Sequence, residues 1–421
     1  MSILLFNLCL YLIPFVILLV KDKGITLRAF LLGFITFNAV CSVYTWYNGI
    51  YLDFSGNLFY NELTVFPFLL IWITLMLVFY PIVNFREQKI ERVELPSFVK
   101  VKYLSIAGIA LAFLLLLLMV KPVLGGIASG FGVLYTDAKS GEALFSGKVY
   151  KLYHLYSIIQ IPLMLYWGYY ICFIKKNIFF SSLLFISAFI PSIIYGVGGA
   201  SRGMLFFRFI DAFVIVLIFR KFISAKLLNV VKIGFVFFVS LLLFISIVIT
   251  SDRFGEGDII FKIIAQYFGE SFINANIHFF ANLKDPLLGE RMFPDFYKLF
   301  TGNSLQSFTT KYEAWSYYSS KVGVYIHYFK TLPIDFYIEL GVIGAVLSIL
   351  ILFLLGKKYI KITATTPFYR LIWVVYYYQI CIGSLFGFTK AGHDNFVRLI
   401  GLLTVYLFFR VNFRKITLSK S

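Results

Sequence analysis

Charge is scarce in this chain. Only 14% of its 421 residues are Asp, Glu, Lys or Arg, against about 25% in a soluble domain, and the shortage excludes a soluble multi-domain protein. Carboxylates are the scarcer sign, with 20 Asp and Glu against 38 Lys and Arg. No Asp-x-Asp pair occurs, so the usual carboxylate handle for a divalent ion on a nucleotide-sugar is missing. Cys9, Cys41, Cys172 and Cys381 all stand in apolar runs without C-x-x-C spacing, which speaks against a disulfide framework and a Cys/His metal site. There is also no P-loop and no H-E-x-x-H. No metal and no cofactor are expected.

Apolar surface takes the place of charge. The chain is 60% hydrophobic and 20% aromatic, with 50 Phe and 29 Tyr. Its apolar runs approach 20 residues, enough to cross a bilayer core as helices. Hydropathy marks eleven of them, near 3–20, 26–47, 63–83, 103–120, 152–174, 178–196, 203–219, 233–250, 335–355, 368–388 and 396–411. The N-terminal run lacks a basic leader and a small-x-small cleavage site, so it reads as a retained span. The expectation is an all-α polytopic membrane protein of about 11 transmembrane helices, one integral membrane domain over 1–421.

The connecting segments alternate in charge. "KDKGITLR", "NFREQKIERVELPSFVKVK", "KKN", "RKFISAKLLNVVK", "GKKYIKITATTPFYR" and the tail hold 22 Lys/Arg and 4 Asp/Glu, which is the entire net charge of +18. The remaining residues hold 16 of each. Short Lys/Arg-rich loops stay cytoplasmic, so the N-terminus is expected outside and the C-terminus inside. The basic balance thus reports topology, and nucleic-acid binding has no support.

The largest outer piece, 251–333, is far longer than a usual connection of about 4–6 residues. It is rich in aromatics and carries eight Lys/Arg, which argues for an ordered, functional loop with short helices. Its stretch "DIIFKIIAQYFGESFINANIHFFANL" predicts a helix lying at the membrane surface. Cations gather at this outer side. Arg202 sits in the glycine-rich break "GGASRG", whose glycines permit a tight turn with close backbone approach to a phosphate. Arg253, Arg291, Lys330 and Arg398 are the others. Each has a plainer reading as a snorkelling or solvated charge. Taken together they suit a phosphate-bearing substrate, because guanidinium binds phosphate bidentately. Arg208 and Asp211 lie three apart on one helical face and read as a structural intramembrane pair.

In its architecture and in a few short motifs the chain resembles bacterial O-antigen and capsular repeat-unit polymerases. The likeness lies in the number of spans, the "GGASRG" turn leading into a span, and the large outer loop closing with "HYFKTLPIDFYIELGVIGAVL". The related O-antigen ligases share this plan and also place a histidine shortly before such a segment. Arg291 and Gly302 match the R-x10-G spacing discussed for polymerase loops, a weak match among 30 glycines.

The resemblance implies a GT-C-like fold in a bacterial inner membrane. It implies inverting, metal-independent glycosyl transfer between undecaprenyl-diphosphate-linked glycans on the outer face. The arginines would stabilise the departing diphosphate. His327 is the best-placed base for the acceptor hydroxyl, with Glu270 and Glu339 as further candidates. Membrane lipids, a chain-length regulator and a flippase are the implied partners. A ligase, or a lipid-linked oligosaccharide flippase or other transporter, is the alternative.

Overall fold

The computed structural model describes residues 2–51, 62–95, 98–140, 144–145, 147–174, 177–254, 259–390 and 392–411. Helix dominates them, because a backbone surrounded by apolar side chains and lipid must satisfy its own hydrogen bonds. The first helices are α1 (Ser2–Asp22), α2 (Leu27–Tyr47) and α3 (Val65–Val83). A short strand β1 (Arg92–Glu94) precedes α4 (Phe98–Ser129) and α5 (Phe131–Ser140). Next come α6 (Gly147–Tyr169), α7 (Ile178–Gly198), α8 (Arg202–Phe219) and α9 (Ala225–Phe254). The long loop supplies α10 (Ile259–Asn274), α11 (Pro294–Thr301) and α12 (Lys311–Val322). The chain closes with α13 (Leu332–Tyr359), strand β2 (Thr365–Pro367), α14 (Phe368–Gly383) and α15 (His393–Arg410).

Eight helices among the described residues are long and apolar enough to cross a membrane: α1, α2, α3, α4, α6, α7, α9 and α13. The other three apolar runs are helical too, but differ in kind. Helix α8 carries Arg202, Arg208 and Asp211, and α15 carries Asp394 and Arg398. Helix α14 is only 16 residues long. It is buried along almost its whole length and packs against α2, α3, α6, α8, α13 and α15. It is the central post of the bundle, which is why it reads as an apolar run although most of its neighbours are protein.

The loops sort to two ends. At one end β1 pairs parallel with β2, Arg92 opposite Thr365. There too Lys221 donates to the carbonyls of Gln88 and Ile90, and Arg220 to that of Ile25. All of these belong to the basic set. At the other end Thr64 N–H donates to Asn276, Gly132 N–H to Asp252, and Gly392 N–H to the Met292 carbonyl.

The stretch around 259–282 is helical, as expected, and it packs on the bundle. Helix α10 lies against α2, with the Phe268 ring on Phe34 and Phe37. A Cβ on Gly269 would stand 2.5 Å from the Cys41 carbonyl carbon, and Ser42 Oγ donates to the Gly269 carbonyl at 2.6 Å. Only a glycine lets the two backbones meet this closely. A π-helical turn, Ala275–Phe279, then buries His278 and Asn276.

Candidate functional site

The "GGASRG" break starts α8. Ser201 caps the helix by accepting from Met204 N–H. The bare face of Gly198 is filled by Phe145, whose ring carbon would lie 2.4 Å from a Cβ there. The one left-handed residue of the break is Ala200, with φ 45°. The glycine at 198 therefore serves packing against an aromatic ring. Arg202 opens the helix, its Nη1 donating to Thr250 Oγ1 at 2.9 Å on α9 and its guanidinium lying 5.2 Å over the Tyr267 ring on α10.

Tyr267 links this cation to the end of the long loop. Its ring packs on Phe329 at 4.4 Å. The Phe329 N–H donates to the Glu270 carboxylate, and its carbonyl accepts from Asn274 at 3.0 Å. Burial pushes the Glu270 carboxyl up to about 8, with the Phe329 amide and Gln266 pulling the other way. The structure thus gathers Arg202 and Glu270 on the two sides of the Tyr267–Phe329 contact. Beyond Asn274, Tyr51 OH donates to Asn274 Oδ1 and stands 2.6 Å from His278 Nε2.

His327 lies two residues earlier and faces elsewhere. It lines a cavity of about 650 Å³ with Tyr312, Trp315 and Tyr325, its ring 5.7 Å from that of Trp315. Burial first, then Lys330 and Lys139, hold its imidazole below the ordinary histidine value.

Arg291 and Glu339 meet in a different cluster. Arg291 Nε donates to Glu339 Oε1 and Nη2 to Asp335 Oδ1, both at 2.6 Å. Met292 N–H takes the second Glu339 oxygen, and Phe388 N–H takes Asp335 Oδ2. Burial opposes the Arg291 charge, but the two carboxylates outweigh it and raise its pKa. Lys330 Nζ donates to the Ile326 carbonyl at 2.6 Å and stands 3.7 Å from Asp335. Burial chiefly brings that amine down to about 8. Two expected phosphate ligands are thus engaged within the protein, and both oxygens of one expected base are already bonded.

Arg208 and Asp211 are in contact at 2.9 Å. Arg208 also donates to Gln160 Oε1, Gln379 Nε2 donates to Asp211 Oδ1, and Lys390 Nζ donates to Gln379 Oε1. Arg398 stands within electrostatic range of Arg208 and Asp211. Arg253 lies in the last turn of α9, and its side chain lies outside the described residues. Among the described residues no group of His, Cys, Asp and Glu is placed to hold a metal ion.

Sequence reasoning missed the segment that joins these clusters. The short link 384–390 places the Phe386 ring against Tyr267 and Phe329. It aims Phe388 N–H at Asp335 and sends Lys390 to Gln379. The available signals were Gln160 and Gln379, amides inside apolar runs that require partners. No protein family, curated protein or solved structure matches the chain.

Proposed function

We propose that this protein is a membrane glycosyltransferase that polymerises undecaprenyl-diphosphate-linked oligosaccharide repeat units. In this reading the end bearing the long loop faces outward, all eleven apolar helices cross the membrane, and transfer is inverting and metal-independent. The observation that carries it is the cation Arg202 over the Tyr267 ring, with Glu270, a carboxyl that burial pushes up to about 8, three residues further along α10 and bonded to the Phe329 amide. That combination matches what glycosyl transfer from a diphosphate requires. A carboxylate near neutrality takes the proton of the acceptor hydroxyl, whose oxygen attacks the anomeric carbon. The bond to the diphosphate breaks, and its electron pair leaves on the diphosphate oxygen, where a fixed guanidinium offsets the growing charge. Glu270 therefore takes the role of base ahead of His327, which lines the aromatic cavity and suits sugar contact instead.

The test uses cells that make the polymer and the purified protein with lipid-linked repeat units. Arg202→Ala and Glu270→Gln should leave lipid-linked single units unextended at normal protein abundance. Full-length polymer from either variant would remove that residue from the proposed mechanism. Long glycan left on the carrier in a deletion strain would identify a ligase, and movement of units without elongation by the wild-type protein would identify a transporter.

A further inference from the structure

Helix α8 presents two faces at its start. Arg202 points to Thr250 and Tyr267. Ser201 and Met204 line a separate cavity of about 590 Å³, walled also by Tyr150, Tyr195 and Thr310. The helical repeat continues that second face to Arg208 and Asp211, at offsets of 4 and 7 from Met204. Between cavity and ion pair stands Tyr153. It stacks on Tyr195 at 3.8 Å, and its hydroxyl reaches Ser192, which also accepts from Gln160.

The ion pair below is not balanced. Arg208, Lys390 and Arg398 lie within mutual electrostatic range, with Asp211 as the carboxylate among them. The next carboxylate, Asp394, is held by Tyr150 and stands 3.8 Å from His154. Among the described residues, Arg398 Nε, Arg398 Nη2 and Arg208 Nε are shut off from solvent and have no hydrogen-bond partner. Each is a donor. The other unbonded atom of the group, Asp211 Oδ2, already faces Arg208 Nη1 at 2.9 Å. Buried donors and unpaired cations both carry a cost, and an incoming anion relieves both at once.

We infer that Arg398, Arg208 and Lys390 form a second anion-binding site, reached from the Tyr150–Tyr195 cavity past Tyr153, and that its ligand is a diphosphate ester. The charge argument stands alone, and naming the ester rests on the glycosyltransferase reading. A polymerase joins two diphosphate-linked substrates, so it needs two cationic sites, one on each face of α8.

The experiment uses full-length protein in phosphatidylcholine nanodiscs, with thermal unfolding followed during titration with pyrophosphate. Wild type should be stabilised saturably. Arg398→Gln and Lys390→Gln should need at least about tenfold more pyrophosphate, as expected for a lost charge-assisted hydrogen bond. Without ligand, Arg398→Gln should unfold no earlier than wild type, because one repelling cation has gone. An unchanged pyrophosphate response in Arg398→Gln, or none in wild type, overturns the site. So does stabilisation by phosphatidylglycerol nanodiscs that pyrophosphate cannot reproduce, which would assign the donors to a phospholipid headgroup. If Arg202→Gln alone loses the pyrophosphate response, this site fails and the proposed function stands. If the site binds but the wild-type protein does not elongate lipid-linked units, the function fails and the anion site stands.

Discussion

Arg291 and Glu339 are locked together, the guanidinium Nε donating to a carboxylate oxygen at 2.6 Å at the start of α13. The pair fixes the loop onto the bundle. The Leu287 and Gly289 amides donate to the carbonyls of Ile338 and Glu339. Two residues on, Gly341 adopts φ 68° inside α13, a conformation only glycine enters cheaply. The helix is thereby kinked around Arg291, and its first turn faces the loop instead of continuing the long apolar axis.

Removing Arg291 would strand Asp335 and Glu339, both almost without solvent contact. Arg291→Met is expected to cost about 3–5 kcal/mol, measured as a lower unfolding temperature in detergent. Adding Glu339→Gln should restore part of the loss. An Arg291→Met protein as stable as wild type yet inactive would instead make this arginine a substrate ligand.

The contact of α10 with α2 yields a second expectation. At Gly269 an added methyl meets the backbone of Cys41 and Ser42 at 2.5–2.6 Å, and backbone cannot swing aside as a side chain can. Gly269→Ala should lose about 1–3 kcal/mol and reduce polymer formation, because Glu270 is the next residue. Gly234→Ala, with nothing within 4 Å, serves as the control. Equal stability of the two variants would show that α10 does not depend on this contact.

Most of the architecture was legible because apolar length and loop charge are local quantities. The two-ended sorting of loops could be read from Lys and Arg alone, and β1–β2 joins two segments of one charge class. The site was less legible, because a cation's role depends on its partners. Arg291 and Arg202 read alike in sequence. In the fold Arg291 meets two carboxylates, while the partners of Arg202 include a hydroxyl and an aromatic ring. Lys390 carries no sequence signal of its own, yet it donates to Gln379 in the bundle.

The aromatic cavity around His327 gives a third expectation. Tyr312, Trp315 and Tyr325 supply flat apolar faces, with Ser316, Ser319 and Ser320 as hydroxyls beside them. Such surfaces stack on sugar rings. Trp315→Ala should weaken use of lipid-linked units mainly through KM, by about tenfold for one lost aromatic contact. His327→Ala should behave similarly, leaving kcat nearly intact. A collapse of kcat in His327→Ala with KM unchanged would return the histidine to the role of base.

Glu270 supplies the last expectation, through pH. Its carboxyl titrates near 8 in the fold against an ordinary 4.5. The native protein therefore holds a proton that the unfolded chain releases between those values. This stabilisation is complete below 4.5 and falls as pH rises toward 8, by at most about 1.4 kcal/mol per pH unit. Glu270→Gln should remove that slope, so its advantage in stability over wild type grows up to pH 8 and then levels. In the proposed mechanism activity runs the other way, since a carboxylate base works only when deprotonated. Elongation of lipid-linked units by wild type should climb from pH 7 to 9, and Glu270→Gln should be about 10²–10⁴-fold slower with no such climb. A wild-type rate that is flat or falling over this range would remove Glu270 as the base, whatever its effect on stability.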